Sequence, residues 1–80
     1  MRLPRDISGD DLAKALGGYG YQITRQKGSP LRLTTQRGGE HHITIPRYSP
    51  LRVGTLRAIL DKVGAHIGVD RQELLAELWQ

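Results

Sequence analysis

The chain has 80 residues, a formal net charge of +4, and neither cysteine nor phenylalanine. That length allows one domain and one small core, burying about 60–65% of the surface exposed by the unfolded chain. Without cysteine, disulfides and thiolate metal ligands are excluded, and no apolar stretch approaches the ~20 residues of a membrane span. The opening MRLPRD lacks the apolar run of a secretory signal, so a cytoplasmic location is expected, with no membrane partner.

The charge is uneven. Residues 21–62 carry eight Lys and Arg against two acids, residues 1–20 balance at three against three, and residues 63–80 hold one Arg against three acids. A basic middle between neutral and acidic ends points to a polyanion, because Lys and Arg that neutralise phosphates release counterions. A merely solvated basic surface is the plain alternative.

Ser8-Gly9-Asp10-Asp11 has the spacing of a capping box, and Leu12, Ala13, Ala15 and Leu16 give the helix behind it an apolar face. Gly17-Gly18 is expected to end that helix in a left-handed conformation. Residues 19–26 alternate, which predicts a strand with Tyr19, Tyr21 and Ile23 facing inward. Lys27-Gly28-Ser29-Pro30 reads as a turn.

Residues 31–36 and 41–45 alternate again, with Leu31, Leu33, Ile43 and Ile45 inward, and Pro46 ends the last strand. Burial decides the hairpin register. A two-residue Gly38-Gly39 loop would set Leu33 beside Thr44, on the wrong face. A three-residue loop, Arg37-Gly38-Gly39 with Gly39 left-handed, pairs Leu33 with Ile43 and Leu31 with Ile45.

A second helix is expected from about Val53 to His66, with Leu56, Ile59, Leu60, Val63 and Ile67 as its stripe. Asp70 to Glu73 repeats the capping spacing for a last helix, about 70–79, in which Trp79 and Leu75 form a patch for the core or a weak homodimer. The fold class is α+β: a helix, three antiparallel strands and two helices, with the helices on one face of the sheet and the other face open.

Neighbouring strand residues point to opposite faces, so His41 and His42 cannot share a metal ion from a regular strand. No metal and no cofactor are expected. His41 falls inward, whereas His42 falls on the open face opposite Thr34, with Thr44 opposite Arg32. That face reads as polar and free of acids, edged by Arg25, Lys27, Arg32 and Arg37. It suits a sugar-phosphate backbone, and His42 is the candidate base for a ribose 2′-OH proton, with the arginines stabilising the charge that develops on phosphate. A helix-turn-helix over residues 53–79 is disfavoured, because Glu73 and Glu77 would repel DNA.

Four pieces in order carry a family resemblance: Gly20-Tyr21 after the first helix, Arg25-Gln26-Lys27-Gly28-Ser29, Ile43-Thr44-Ile45-Pro46, and the run from Leu51 through Gly54-Thr55-Leu56 to Leu60. The chain resembles the HicA-like toxins of bacterial toxin–antitoxin modules, small ribonucleases described as mRNA interferases. The resemblance covers roughly residues 3–66 of a single 1–80 domain and leaves 70–79 as a helical extension. It implies a fold like a double-stranded-RNA-binding domain (dsRBD-like α-β-β-β-α), mRNA as the ligand, and a HicB-like antitoxin that covers the RNA face. On the open face the residues expected to bind RNA are Arg25, Lys27, Ser29, Arg32, Thr34 and Arg37.

The family usually places its catalytic histidine directly after Gly-Ser or one residue further on, and here those positions hold Pro30 and Leu31. Neither side chain titrates. Two readings follow: an RNA-binding toxin silenced at Pro30, which still pairs with its antitoxin, or an active metal-independent ribonuclease that uses His42.

Overall fold

The computed structural model describes residues 6–25 and 27–78. Its elements run α1 (Gly9–Leu16), a 3₁₀ turn (Gly17–Tyr19), β1 (Gln22–Arg25), β2 (Leu31–Thr35), β3 (His41–Ile45), α2 (Val53–Ile67) and α3 (Arg71–Leu78). The strands form one antiparallel sheet in the order β1-β2-β3. Helix, three strands, helix and helix is the order the sequence predicts.

The start of α1 is the expected capping box. The Ser8 hydroxyl accepts from the Asp11 backbone at 3.0 Å, and the Asp11 carboxylate accepts from the Ser8 backbone at 3.2 Å. The end of α1 differs from expectation. Gly17 keeps right-handed helical angles, the chain tightens into the 3₁₀ turn, and the left-handed residue is Gly20, φ 86°. The predicted strand over 19–26 is therefore shorter: Tyr19 closes the turn, β1 begins at Gln22, and Gln26 lies outside the described residues.

The β2–β3 register is the one burial demands: Leu31 with Ile45, Leu33 with Ile43, Thr34 with His42 and Thr35 with His41. Gly38 and Gly39 both take positive φ in the loop, so the left-handed requirement falls on two residues rather than on Gly39 alone. β1 pairs irregularly with β2. Ile23 opposes Leu33, but Arg25 opposes Arg32, so Thr24 is an extra residue, a β-bulge. Without the bulge Arg25 would alternate onto the helical face; with it, Arg25 joins Arg32 on the open face.

The core is aliphatic. Leu12 and Leu16 of α1, Leu31, Leu33 and Ile45 of the sheet, Leu56, Leu60 and Val63 of α2, and Leu74 of α3 are fully buried. Ile23 departs from the inward assignment: it is 43% exposed, because β1 is an edge strand and helical cover stops near Tyr21. Leu75 of the expected surface patch is buried in the core, while Trp79 lies outside the described residues. The α3 helix packs on α2, so it leaves the open face of the sheet uncovered. Among the described residues no helix is long and apolar enough to cross a membrane.

Gly9 fixes how α1 meets the end of β3. Its amide donates to the Tyr48 carbonyl at 3.0 Å, and a Cβ there would lie 2.0 Å from the Pro46 carbonyl oxygen. Gly17 has open space around it and ordinary helical angles. Gly9→Ala should therefore destabilise by about 1–3 kcal/mol, the scale of overpacking, while Gly17→Ala should be neutral or stabilise by up to about 1 kcal/mol. Urea unfolding of the two variants checks this, and equal midpoints would contradict the close approach.

Candidate nucleic-acid interface

The pleat and the bulge together assemble the open face. Arg32, Thr34, His42 and Thr44 alternate onto it from β2 and β3, and Thr24 and Arg25 join from β1. Two cavities lie on this face and share Arg25 and Arg32. The first, about 590 Å³, is lined by Thr24, Arg25, Arg32, Thr34, Gln36, Glu40 and His42. The second, about 330 Å³, is lined by Arg25, Lys27, Ser29, Pro30, Arg32 and Thr44. The second holds three cations and two hydroxyls without a carboxylate.

Among the described residues these cations form no ion pair. Among the described residues, the ion pairs are Glu40 with His42, Asp10 with Arg47, and Asp61 with Arg71. Arg25, Lys27 and Arg32 take part in none of them. Arg47, part of the same basic block, does structural work instead, gripping Asp10 of α1 through two guanidinium nitrogens at 3.1 and 3.2 Å.

Six residues were expected to form the binding surface. Arg25, Lys27, Ser29, Arg32 and Thr34 are brought together in the two cavities. Arg37 is not. It sits past the end of β2 on the helical side, lining a separate pocket with Tyr19, His66 and Glu77. In that pocket the Tyr19 hydroxyl is hydrogen-bonded to the Glu77 carboxylate. Burial, followed by this bond, pushes the Tyr19 pKa up to about 12.

The face is also not free of acids. The Glu40 carboxylate reaches the His42 Nε2 at 2.7 Å, and the other ring nitrogen, Nδ1, meets the Thr34 hydroxyl at 2.8 Å. The Thr34 and Thr24 hydroxyls are 3.2 Å apart. The signal for Glu40 was present in the sequence: it precedes His42 by two residues, the spacing that puts strand neighbours on one face. Lys62 of α2 adds a cation beyond β3, in a groove with Arg32, His42 and Thr44.

His41 points the other way, as expected. Its Nδ1 is hydrogen-bonded to the Tyr21 hydroxyl at 2.7 Å, and its ring stacks on His66 of α2 with centroids 4.3 Å apart. His66 Nε2–H is shared by the Arg37 and Gly39 carbonyls, at 2.9 and 3.1 Å. Carbonyls only accept, so Nε2 of His66 must carry a hydrogen. The stack ties the hairpin tip to α2. No spacing in the sequence announces it, since the two rings are brought together only by tertiary packing.

With this geometry in place, the family becomes decisive. The family model described as the HicA toxin of bacterial toxin-antitoxin matches residues 9–65, from the first residue of α1 to near the end of α2. The chain belongs to the HicA toxin family. No curated protein and no solved structure matches it. As a HicA toxin it is the toxin half of a toxin–antitoxin module, and the partner of that half is an antitoxin. The α3 helix lies beyond the matched residues.

The His41 stack gives this HicA toxin a pH signature. Burial, then the nearby His66, His42 and Lys62 charges, hold the His41 pKa below its ordinary 6.5. A histidine depressed on folding takes up more protons when unfolded, so its contribution is complete above pH 6.5 and is lost as pH falls from there through the folded value. Thermal melts from about pH 7.5 to about pH 5 should show a falling midpoint for the parent. The fall should be shallower in His41→Gln, and identical slopes would contradict the assignment.

Proposed function

We propose that the open sheet face binds RNA and that the chain acts as an mRNA-directed toxin, held in check by a HicB-like antitoxin that covers the same face. One observation carries this reading. Two adjoining cavities share Arg25 and Arg32, and the cations of the all-basic cavity have no carboxylate partner within the described fold. A fold that leaves three cations unpaired on one polar surface offers them to an external anion. The cavities lie side by side across a sheet, which suits a chain of successive phosphates better than a single small anion.

Within this reading, Lys27, Ser29, Arg25 and Arg32 hold phosphate oxygens, and Thr34 and Thr44 meet sugar hydroxyls. The position after Gly28-Ser29, where the family usually carries its histidine, is Pro30 in the all-basic cavity. The next residue, Leu31, is buried. Neither can move a proton. His42 is the imidazole of the open face, about 13 Å from position 30 by strand rise across residues 30–34. Proton transfer therefore falls to His42, with the reacting phosphate displaced along the sheet toward Arg32.

Pro30 also favours a second reading, in which the face binds RNA without cutting it and the chain keeps only its binding and antitoxin-pairing roles. Cleavage of labelled RNA in EDTA separates the two. The first reading expects cleavage by the parent that His42→Ala reduces by about a hundredfold or more. The second expects cleavage only after Pro30→His.

RNA retardation over a salt series tests the binding face itself. Single-stranded RNA should bind with a linear dependence of log affinity on log salt, and Arg25→Ala and Arg32→Ala should each lower the slope by about 0.7. Arg57→Ala, on the outer side of α2, should leave it unchanged. Equal slopes in all three variants, or no retention at low salt, would reject the open face as the binding surface.

A further inference from the structure

A surface that only grips phosphate gains nothing from a carboxylate. Glu40 nevertheless stands in the cavity that holds Arg25 and Arg32, and it is spent on His42 rather than on either arginine. Its purpose follows from counting hydrogens. An ionised carboxylate only accepts, so the 2.7 Å contact requires a hydrogen on His42 Nε2. In the neutral ring Nδ1 is then the bare nitrogen, and the 2.8 Å contact must be a hydrogen bond donated by the Thr34 hydroxyl. Having given its hydrogen, the Thr34 oxygen keeps its lone pairs free to accept; the Thr24 hydroxyl, 3.2 Å away, also lies within donating distance of the Arg32 carbonyl at 3.3 Å. A single acid at one end thus sets the direction of the line from Thr34 to His42 to Glu40.

We infer that Glu40 is a positioning residue that locks His42 into the tautomer with a bare Nδ1, so that proton exchange with an RNA hydroxyl runs through Nδ1 on the Thr34 side of the ring. This inference rests on the reading of the open face as an RNA surface. It assigns three things the face alone does not: which nitrogen acts, from which side the substrate approaches, and what keeps the ring there.

The step balances without a further reagent. The ribose 2′-OH gives its proton to Thr34 Oγ1 as the Thr34 hydroxyl gives its own to His42 Nδ1. The 2′-oxygen bonds to the adjacent phosphorus, the bond from phosphorus to the 5′-oxygen breaks, and that oxygen takes a proton from a water that recovers one from the His42 imidazolium. The products end in a 2′,3′-cyclic phosphate and a 5′-hydroxyl. Arg25 and Arg32 lie in the same cavity as His42, where negative charge gathers on the phosphoryl oxygens. The imidazolium formed on the way faces the Glu40 carboxylate, which holds it as the buried acid of a catalytic triad holds its histidine.

The side chains of His42 and Glu40 are 40% and 61% exposed, so Glu40→Gln removes the charge with little risk to the fold. Two measurements on the full chain test the inference. The first is ¹⁵N NMR of the imidazole without RNA: the parent should hold the Nε2–H tautomer of His42, and Glu40→Gln should lose that preference. An Nδ1–H tautomer in the parent would overturn the inference. The second is single-turnover cleavage alongside RNA retardation. Glu40→Gln should lower kcat by about tenfold or more, part of the hundredfold or greater effect of acid–base catalysis, with RNA retention no weaker than the parent's. Thr34→Val should lower kcat, and Thr34→Ser should restore it. If the parent cleaves and Glu40→Gln cleaves equally fast, the positioning role is wrong while the RNA reading stands. A parent that retains RNA without cutting it also overturns the inference, and a parent that retains no RNA removes the reading beneath it.

Discussion

Leu31 and Leu33 face Ile45 and Ile43 across the β2–β3 ladder, and a slip of one residue would turn the two on the slipped strand into water. Each such side chain is worth about 1.5–3 kcal/mol when buried, so the slip would cost about 3–6 kcal/mol. That is a large share of the whole stability of a small domain. The same alternation that fixes these four inward fixes Arg32, Thr34, His42 and Thr44 outward. The chemistry of the open face is therefore a by-product of core packing, held by residues that never touch a ligand.

The bulge at Thr24 is the complementary device. A regular β1 would send Arg25 to the helical side of the sheet, away from Arg32. The extra residue turns it onto the open face opposite Arg32 instead, and both line the two cavities. The face thereby gains its densest positive charge at the one place where the sheet is irregular. The helical layer bears the rest of the load: α1 through its capping box and the Gly9 approach, α2 through its stripe and the His41–His66 stack, and α3 through Leu74 and Leu75.

What could be read from the sequence follows from range. The capping box, the hairpin register and the α2 stripe depend on residues within a few positions of one another, and all three stand in the structure. The end of α1 is not legible in this way, because two glycines can close a helix in more than one way, and here the chain takes a 3₁₀ turn through Tyr19 before Gly20 goes left-handed. The bulge, the stacked histidines and the seat of Arg37 beside Tyr19 arise from pairing and packing between distant segments, which no local spacing encodes. Glu40 is the instructive case. Its spacing from His42 was local and legible, yet a basic block invites attention to its cations and away from the one acid among them.

The central claim is that RNA settles on the open face of the sheet and nowhere else on the chain. The most direct measurement is a backbone and side-chain NMR titration with a short unpaired RNA. The account predicts shifts concentrated at Arg25, Lys27, Arg32, Thr34, His42 and Thr44, with Leu60, Leu74 and Tyr19 silent. Shifts concentrated instead on α3 and the Tyr19 pocket, with the sheet face unmoved, would contradict it.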